Sequence, residues 1–516
     1  MDEIVSASPA TGLALGQVQV TNPDKARRII ADAREAAKIW ARSDFKQRKR
    51  VLRRANDYIH EHFDDIAWLI SDENGKPRVE AVTAEITPAM YAIKYYADNA
   101  QRILSPEPIS MFLWGLAGKS SEIRYAPWGV IGIISPWNYP FGIPMTQIAT
   151  AVAAGNAVVL KPSSSTALIG GKIGEIWNSI GLPEGLVSVI QGPGPLGEVL
   201  IEEKVDRLIF TGSVEIGRHV GKLAADKLIP TTLELGGKDP AIVLKDADLE
   251  AATSGILWGA MANAGQTCAG IERVYVESPI FDDFVELLVQ KAERLKVGPD
   301  NDFDSDVGAI TSKGQLKIIE DQVEDARARG ARVLTGGRRL DMGEGSFFPP
   351  TILVNVNHSM PIVRDETFGP TLPVMPFDSV EEAISKANDS EFGLSASVWT
   401  QDQDRAREIA QQLVAGTVTI NDSLYTYGLT ETPWGGVKHS GIGKTHGKEG
   451  LLEMVRQVHI ASDRYYRIKK PWWYPYNRDL YDSMKRGLSF LTGAGSGNRS
   501  ASLFRLLRGL SPRGKI

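Results

Sequence analysis

Apolar residues three and four apart among charges mark residues 24–43 (DKARRIIADAREAAKIWARS) and 77–101 as amphipathic surface helices. On that pattern the first hundred residues read as mostly helical. From residue 129 the texture changes to short apolar runs separated by helical stretches: GVIGIIS, AVVLKP at 157–162, VSVIQG at 187–192, DRLIFTG at 206–212 and TTLELGG at 231–237. Strands alternating with helices at this interval predict a parallel, doubly wound sheet. A second series follows, with strands expected at 241–244, 271–277, 395–400 and 416–420 and helices at 279–293 and 402–413. It predicts a second α/β unit. The stretch TGAGSGNRSAS at 492–502 reads as a flexible Gly/Ser linker.

Length adds scale: 516 residues amount to roughly three domain-sized units. The single cysteine cannot form an intrachain disulfide and excludes Cys-rich zinc or iron-sulfur frameworks, so no metal site is expected and a reducing compartment is the natural home. The opening MDEIVSASPATG has neither a basic nor an apolar signal region, and no apolar run reaches membrane-spanning length. A cytoplasmic protein is expected. Charge sharpens the picture, because residues 463–516 hold 12 Lys or Arg against 3 Asp, a net of +9, while the chain as a whole carries -5. The body before the tail is therefore acidic, which argues against a nucleic-acid surface.

Three segments hold candidate chemistry. Cys268 sits in NAGQTCAG, where Gly265 and Gly270 and the polar Asn263, Gln266 and Thr267 leave a sulfur open to approach. Taken alone, a single cysteine is more often a buried small hydrophobe than a nucleophile. Glu234 is the one charge in TTLELGG, at the end of an apolar strand. It is either structurally paired or a general base of raised pKa. Asn138 in IISPWNYPFG is a polar side chain at a strand's carboxyl end, where open α/β sheets place ligands. Its amide suits an oxyanion, and equally an Asx turn before Pro140. FTGSVEIG runs from strand to helix with Gly212 and Gly217 five apart and Ser213 as a helix cap, a weak phosphate-binding signal.

In chain order SPWNYP, AAGNAVVLKPS, FTGSVEIG, LELGGKDP, GQTCAG, ETFGP at 366–370 and PWGGVKHSGIG at 433–443 resemble the aldehyde dehydrogenase superfamily over about residues 8–462. Within it the chain looks most like the bacterial group that includes diapolycopene-dialdehyde dehydrogenases, and more distantly like succinate-semialdehyde dehydrogenases. The resemblance implies two doubly wound α/β domains, a Rossmann-like cofactor domain and a catalytic domain, with a small β oligomerisation arm. Residues 1–108 and 128–235 would bind NAD(P), 236–446 would form the catalytic domain, 109–127 and 447–462 the arm, and 463–516 a basic aromatic tail.

The same resemblance implies roles. Cys268 would attack an aldehyde to give a thiohemiacetal and then a thioester, Asn138 and the Cys268 backbone N–H would hold the oxyanion, and Glu234 would activate the hydrolytic water. Glu234 favours hydrolysis over transfer to coenzyme A. The dinucleotide would meet Trp137, Lys161, Ser164, Thr211, Gly212, Ser213, Gly217, Leu235, Gly236, Glu366 and Phe368. NAD-preferring relatives commonly read KPxE, whereas this chain reads Lys161-Pro162-Ser163-Ser164. Ser164 has no charge to repel a 2'-phosphate, so NADP is expected to be accepted or preferred, the alternative being that NAD binds without the carboxylate.

By family position the substrate pocket would hold Tyr139, Gly142, Ile143, Met261, Ala262 and Trp434, with no Arg or Lys among them. This favours an apolar aldehyde, aliphatic, aromatic or terpenoid, over a dicarboxylic semialdehyde. Succinate-semialdehyde dehydrogenase, CoA-acylating aldehyde dehydrogenase and a catalytically silent binding protein are the competing readings. Family members pair through a β-hairpin and a late strand, here a hairpin around Gly118 and residues 455–461, giving a homodimer or homotetramer. In the tail, aromatic residues cluster with Arg467, Lys469 and Lys470, and 479–491 and 503–510 are amphipathic. Either the tail makes membrane surface contact at an inner leaflet, or it packs on its own or a neighbouring subunit.

Overall fold

The computed structural model describes residues 3–111, 114, 115, 118–470 and 472–492, with 486–492 as backbone only. The chain divides into one unit of Met1–Ser105 with Tyr125–Gln457 and another of Pro106–Arg124 with Val458–Ile516.

The first unit contains both predicted sheets. One has parallel strands Val130–Ile134, Ala157–Lys161, Val187–Val189, Arg207–Thr211 and Thr231–Glu234, in the spatial order 231, 207, 130, 157, 187. Gly441–Ile442 closes its edge antiparallel to Thr231–Glu234. These strands read as nearly unbroken apolar runs because helices cover both faces. The chain winds one way from Val130–Ile134 through the next two strands and the other way through the last two. A crevice therefore opens between the carboxyl ends of Val130–Ile134 and Arg207–Thr211.

The second sheet has seven strands, in the spatial order Arg332–Thr335, Thr351–Val354, Thr371–Phe377, Ile271–Glu277, Asp239–Val243, Ser395–Trp399 and Thr417–Ile420. All neighbours are parallel except the first pair. Each sheet has its own hydrophobic core, one including Ile131, Val158 and Leu208, the other Ile242, Val274 and Val374. That agrees with two α/β domains.

The first hundred residues depart from the helical expectation at the start, where Glu3–Ala7 and Ala14–Gln19 pair antiparallel. The expected helices follow. Pro23–Trp40 begins with the Asn22 side chain accepting from Lys25 N at 2.8 Å, and it buries Ala26, Ile30, Ala33, Ala37 and Trp40 along one stripe. The second expected helix is broken in character: Arg78–Glu80 passes through a π-helical segment, Ala81–Ile86, into Thr87–Ile103. Such segments bulge one residue out of register and often serve functional sites.

The expected arm residues 447–462 divide differently. Helix Gly447–Glu453 and the residues after it bury Leu451, Met454 and Val455 in the core of the cofactor-side sheet, because apolar side chains continue to that point; exposure begins at Arg456. Glu107–Pro108, Lys119–Pro127 and Val455–Asp463 form a three-stranded sheet, most of whose residues belong to the second unit. The hairpin partner of Lys119–Pro127 is Glu107–Pro108, with Glu107 opposite Ile123. Gly118 stands at φ +80° at the start of the longer strand. The amphipathic segment 479–491 lies in helix Arg478–Thr492, while residues 493–502 and 503–510 lie outside the described residues.

Candidate active site

Cys268 lies on the loop joining helix Leu249–Met261 to strand Ile271–Glu277, and it is the one residue of 263–270 that is not buried. The loop holds three consecutive left-handed residues, Asn263 at φ +54°, Ala264 at +52° and Gly265 at +72°. Non-glycine residues in that region cost about 1–3 kcal/mol each and need over-determined surroundings. Here both Glu80 carboxylate oxygens accept from Asn263 N at 3.0 Å. The Asn263 amide donates to Asn138 O at 2.9 Å and Gln266 O at 3.1 Å, and Gln266 Nε2 returns a bond to Asn263 O at 2.9 Å. At Gly265 a Cβ would lie 2.1 Å from the Gly369 carbonyl oxygen, so a glycine is required. Cys268 is partly buried, and loss of solvent around the sulfur raises the thiol above its usual range, with Glu234, Glu366 and Asp239 adding to the rise.

The turn after strand Val130–Ile134 carries Trp137, Asn138 and Tyr139, and a fully buried ion pair pins it. Lys76 Nζ donates to Glu85 Oε1 at 2.7 Å and to Asn138 O at 2.8 Å, and it sits 4.1 Å from the Tyr139 ring centroid. Glu85 Oε2 accepts from Phe141 N at 2.8 Å and Gly142 N at 3.0 Å. Asn74 Nδ2 donates to Trp137 O at 2.9 Å. The Asn138 side chain does not turn back on its own backbone: Nδ2 donates to Gln266 O at 3.0 Å, two residues before Cys268. An amide nitrogen has two hydrogens, so a second donor remains.

Glu234 is the last residue of its strand. Its Oε1 accepts from Thr445 Oγ1 at 2.7 Å. Burial raises its pKa to about 7, against opposing effects of Thr445, Trp434 and the Lys444 ammonium. Of the two readings open from sequence, a raised carboxyl fits and a tight ion pair does not, since no salt bridge engages it among the described residues.

Two cavities share Cys268. The first, of about 310 Å³, has an aromatic wall of Tyr139, Tyr427 and Trp434, with Ile143, Trp258 and Leu424. Tyr427 packs edge-on against Trp434 at 5.4 Å, and the Tyr139 hydroxyl bonds Thr267 Oγ1 at 2.7 Å. No lysine or arginine lines it among the described residues; Glu80 does. Burial raises the Glu80 pKa to about 7.

The second cavity, of about 250 Å³, brings Asn138, Glu234 and Cys268 together with Trp137, Thr211, Gly212, Ser213, Leu235, Gly236, Glu366 and Phe368. Ser213 caps helix Val214–Asp226, its hydroxyl accepting from Ile216 N at 3.5 Å. Trp137 and Phe368 meet edge to face at 5.5 Å. Glu366 Oε1 accepts from Gly237 N at 2.9 Å, and the carboxylate packs where a Gly236 side chain would begin. Burial and the nearby Glu272 raise the Glu366 pKa to about 8. Lys161 ends the neighbouring strand; it is buried, makes no side-chain hydrogen bond or ion pair among the described residues, and burial lowers its pKa to about 8. Lys161 lies outside the lining of this cavity; the capped helix start at Ser213 and the close-packed Gly212 and Gly236 are what a dinucleotide phosphate needs, so the residues present fit one.

Some expected positions fall elsewhere. Gly217 does not line the cavity; a Cβ there would lie 2.3 Å from Leu235 Cδ2, so its smallness serves helix-strand packing. Ser164 begins a short 3₁₀ turn beyond Lys161, also outside the cavity lining. Met261 is a correction: it packs in the core of the seven-stranded sheet, because Trp258 and Ala262, four apart, form the cavity face of that helix end and Met261 is rotated away from them. Gly142 serves Glu85 through its backbone. Sequence reading passed over Asn74, Lys76, Glu80 and Glu85. A cluster of charges around ENGKPRVEA was the available signal, and on a helical pattern it reads as a solvated face.

A family model described as the aldehyde dehydrogenase family matches residues 2–460. A Methylomonas sp. protein named 4,4'-diapolycopene aldehyde oxidase is 39% identical over 496 residues, covering 96% of this chain and 92% of its own. That span exceeds the length before the tail, so the similarity runs into it. A putative NADP(+) succinate-semialdehyde dehydrogenase of Mycobacterium ulcerans (strain Agy99) is 37% identical over 477 residues, covering 92% of this chain and 90% of its own. The crystal structure of a Mycobacterium tuberculosis aldehyde dehydrogenase complexed with NAD+ has a TM-score of 0.86 at 34% identity, covering 90% of this chain and 96% of that one.

Proposed function

The chain belongs to the aldehyde dehydrogenase family, an oxidoreductase acting on aldehydes, and on that premise we propose that it oxidises an apolar aldehyde to the carboxylic acid with NADP or NAD. The observation that carries the reading is that Asn138, Glu234 and Cys268 face one cavity while Cys268 also faces an apolar one.

In this reading the Cys268 sulfur bonds the carbonyl carbon as the thiol proton passes to a water molecule, and the oxygen takes the carbonyl electron pair. The second Asn138 N–H and the Cys268 backbone N–H hold that oxyanion. A nicotinamide dinucleotide held in the second cavity would supply the hydride acceptor that oxidation of an aldehyde to the acid level requires. Glu234 then takes a proton from water, the hydroxide adds to the thioester carbon, and the carbon-sulfur bond breaks to release the acid. Trp137, Thr211, Gly212, Ser213, Leu235, Gly236, Glu366 and Phe368 would hold the dinucleotide, and by the family resemblance Lys161 and Ser164 would meet its adenosine ribose. Lys161 without a neighbouring carboxylate favours NADP, and the NADP(+) in the name of the Mycobacterium ulcerans relative agrees.

The cavity, which no lysine or arginine lines among the described residues, supports an apolar substrate over succinate semialdehyde. A panel comparing succinate semialdehyde with C8–C12 alkanals, each with NAD and NADP, is the test. We expect kcat/KM to favour the alkanals, and a large preference for succinate semialdehyde overturns the substrate assignment. Thioester product formed only with coenzyme A added would replace hydrolysis by acyl transfer. The reading extends to assembly and location: a homodimer or homotetramer pairs through the three-stranded arm, and residues 463–516 contact a membrane surface, which makes a cytoplasmic enzyme peripheral at the inner face.

A further inference from the structure

The second unit carries an ordered aromatic and cationic face. Asp463 anchors it: Oδ2 lies 2.7 Å from both Lys119 Nζ and Lys470 Nζ, and Oδ1 accepts from Tyr465 N at 2.8 Å. These partners hold the Asp463 pKa down, to about 2. The Tyr465 ring packs against Gly118, where a Cβ would lie 2.3 Å away. Trp114 meets Trp472 edge to face at 5.5 Å, and the Lys119 ammonium lies 5.5 Å from the Trp472 ring centroid.

With those groups engaged, the rest of the segment faces out. Tyr466, Ile468, Trp473, Tyr474 and Tyr476 are between 48% and 78% exposed. Arg464, Arg467 and Lys469 are exposed beside them, and none has a carboxylate partner among the described residues. Helix Arg478–Thr492 follows, leaving Tyr481 and Met484 exposed.

Exposed aromatics in such number mark an interaction site. Trp and Tyr interleaved with unpaired cations match the headgroup layer of a bilayer, where rings sit at the apolar boundary and cations meet lipid phosphates. No helix among the described residues is long and apolar enough to cross a membrane, so contact is along the surface. We propose that this face seats on an anionic bilayer, with Trp473, Tyr474 and Tyr476 at the interface and Arg464, Arg467 and Lys469 against acidic headgroups. The inference rests on the reading of the tail as a membrane contact and is independent of the catalytic assignment.

The test is flotation of the full chain with vesicles of phosphatidylcholine alone or with about 30% phosphatidylserine. We expect binding to the acidic vesicles, weakened at least about tenfold between about 0.1 and 0.5 M salt. Replacing Arg464, Arg467 and Lys469 together by Gln should weaken it by about fivefold per cation, roughly a hundredfold in all. Trp473→Ser with Tyr474→Ser and Tyr476→Ser should also weaken it, both variants keeping turnover of a soluble short aldehyde. Equal binding to both vesicle types overturns the acidic-lipid assignment and leaves membrane contact standing. No flotation with either overturns both. Variants that lose an oligomer by light scattering, in a protein that ignores vesicles, give the face to a second copy of the chain.

Discussion

The cavity walled by Tyr139, Tyr427 and Trp434 has no lysine or arginine among the described residues, whereas the cleft that shares Cys268 with it is edged by a helix start and close-packed glycines. In the proposed reading the first would select by shape and by excluding water, the second by charge and backbone donors. One thiol then serves, in that reading, an apolar partner on one side and an anionic one on the other: Tyr427 and Trp434 line only the first cavity, Thr211, Ser213 and Glu366 only the second, and Ile143 and Cys268 belong to both. Substrate range and cofactor preference should then be separable by mutation.

The largest expected effect removes what the two share. Cys268→Ala should lower NAD(P)H formation by at least about a thousandfold with every aldehyde and either cofactor. Turnover retained near wild type would detach both cavities from the chemistry. Lys76→Met comes next, since Lys76 touches Asn138 on the cleft side and Tyr139 on the cavity side. Stranding Glu85 without its partner should cost about 3–5 kcal/mol in denaturant unfolding. A loss under about 1 kcal/mol would mean the pair does not hold the two walls together.

Glu234→Gln sharpens the comparison by acting on release alone. A burst of reduced cofactor should survive while the steady-state rate drops by about a hundredfold. A burst lost in parallel would place Glu234 before the thioester. The wild-type steady state should also follow its carboxyl. Burial sets the pKa at about 7, so the group is protonated and unable to accept from water below that pH, and the rate should rise with pH through about 7. A profile flat from pH 6 to 8 would contradict this, pH values being about those bracketing the transition.

The smallest effect tests separability. Ser164→Glu should shift the NADP to NAD ratio of kcat/KM toward NAD by about tenfold, by placing a carboxylate near Lys161, and leave the ranking of aldehydes unchanged. A changed aldehyde ranking would show that the two sites are coupled.

Legibility was uneven for physical reasons. The runs at 129–134, 157–162 and 206–212 announce buried parallel strands because both faces are apolar, and they are strands here. Thr371–Phe377 was hidden by Pro373 and Pro376, which argue against a strand inside a sheet, yet it lies between two others. Cys268, Asn138 and Glu234 stood out because each is a polar or reactive group set in small or apolar company. Lys76, Glu80 and Glu85 did not, because charges spaced along a helix look solvated until something packs over them. Met261 was misplaced for a related reason: helical spacing shows which residues share a face, but not which face meets a cavity.

The sequence by itself determined the alternation of strands and helices, the order of the reactive segments and the separation of an acidic body from a basic tail, since these are local and additive properties of side chains. Only tertiary structure decided that Glu80 and Glu85 lie buried, that Asn138 reaches across to Gln266, and that the tail turns its rings outward. Each depends on contacts between residues far apart in the chain, and burial, not composition, sets what a charge or a ring costs and therefore what it can do.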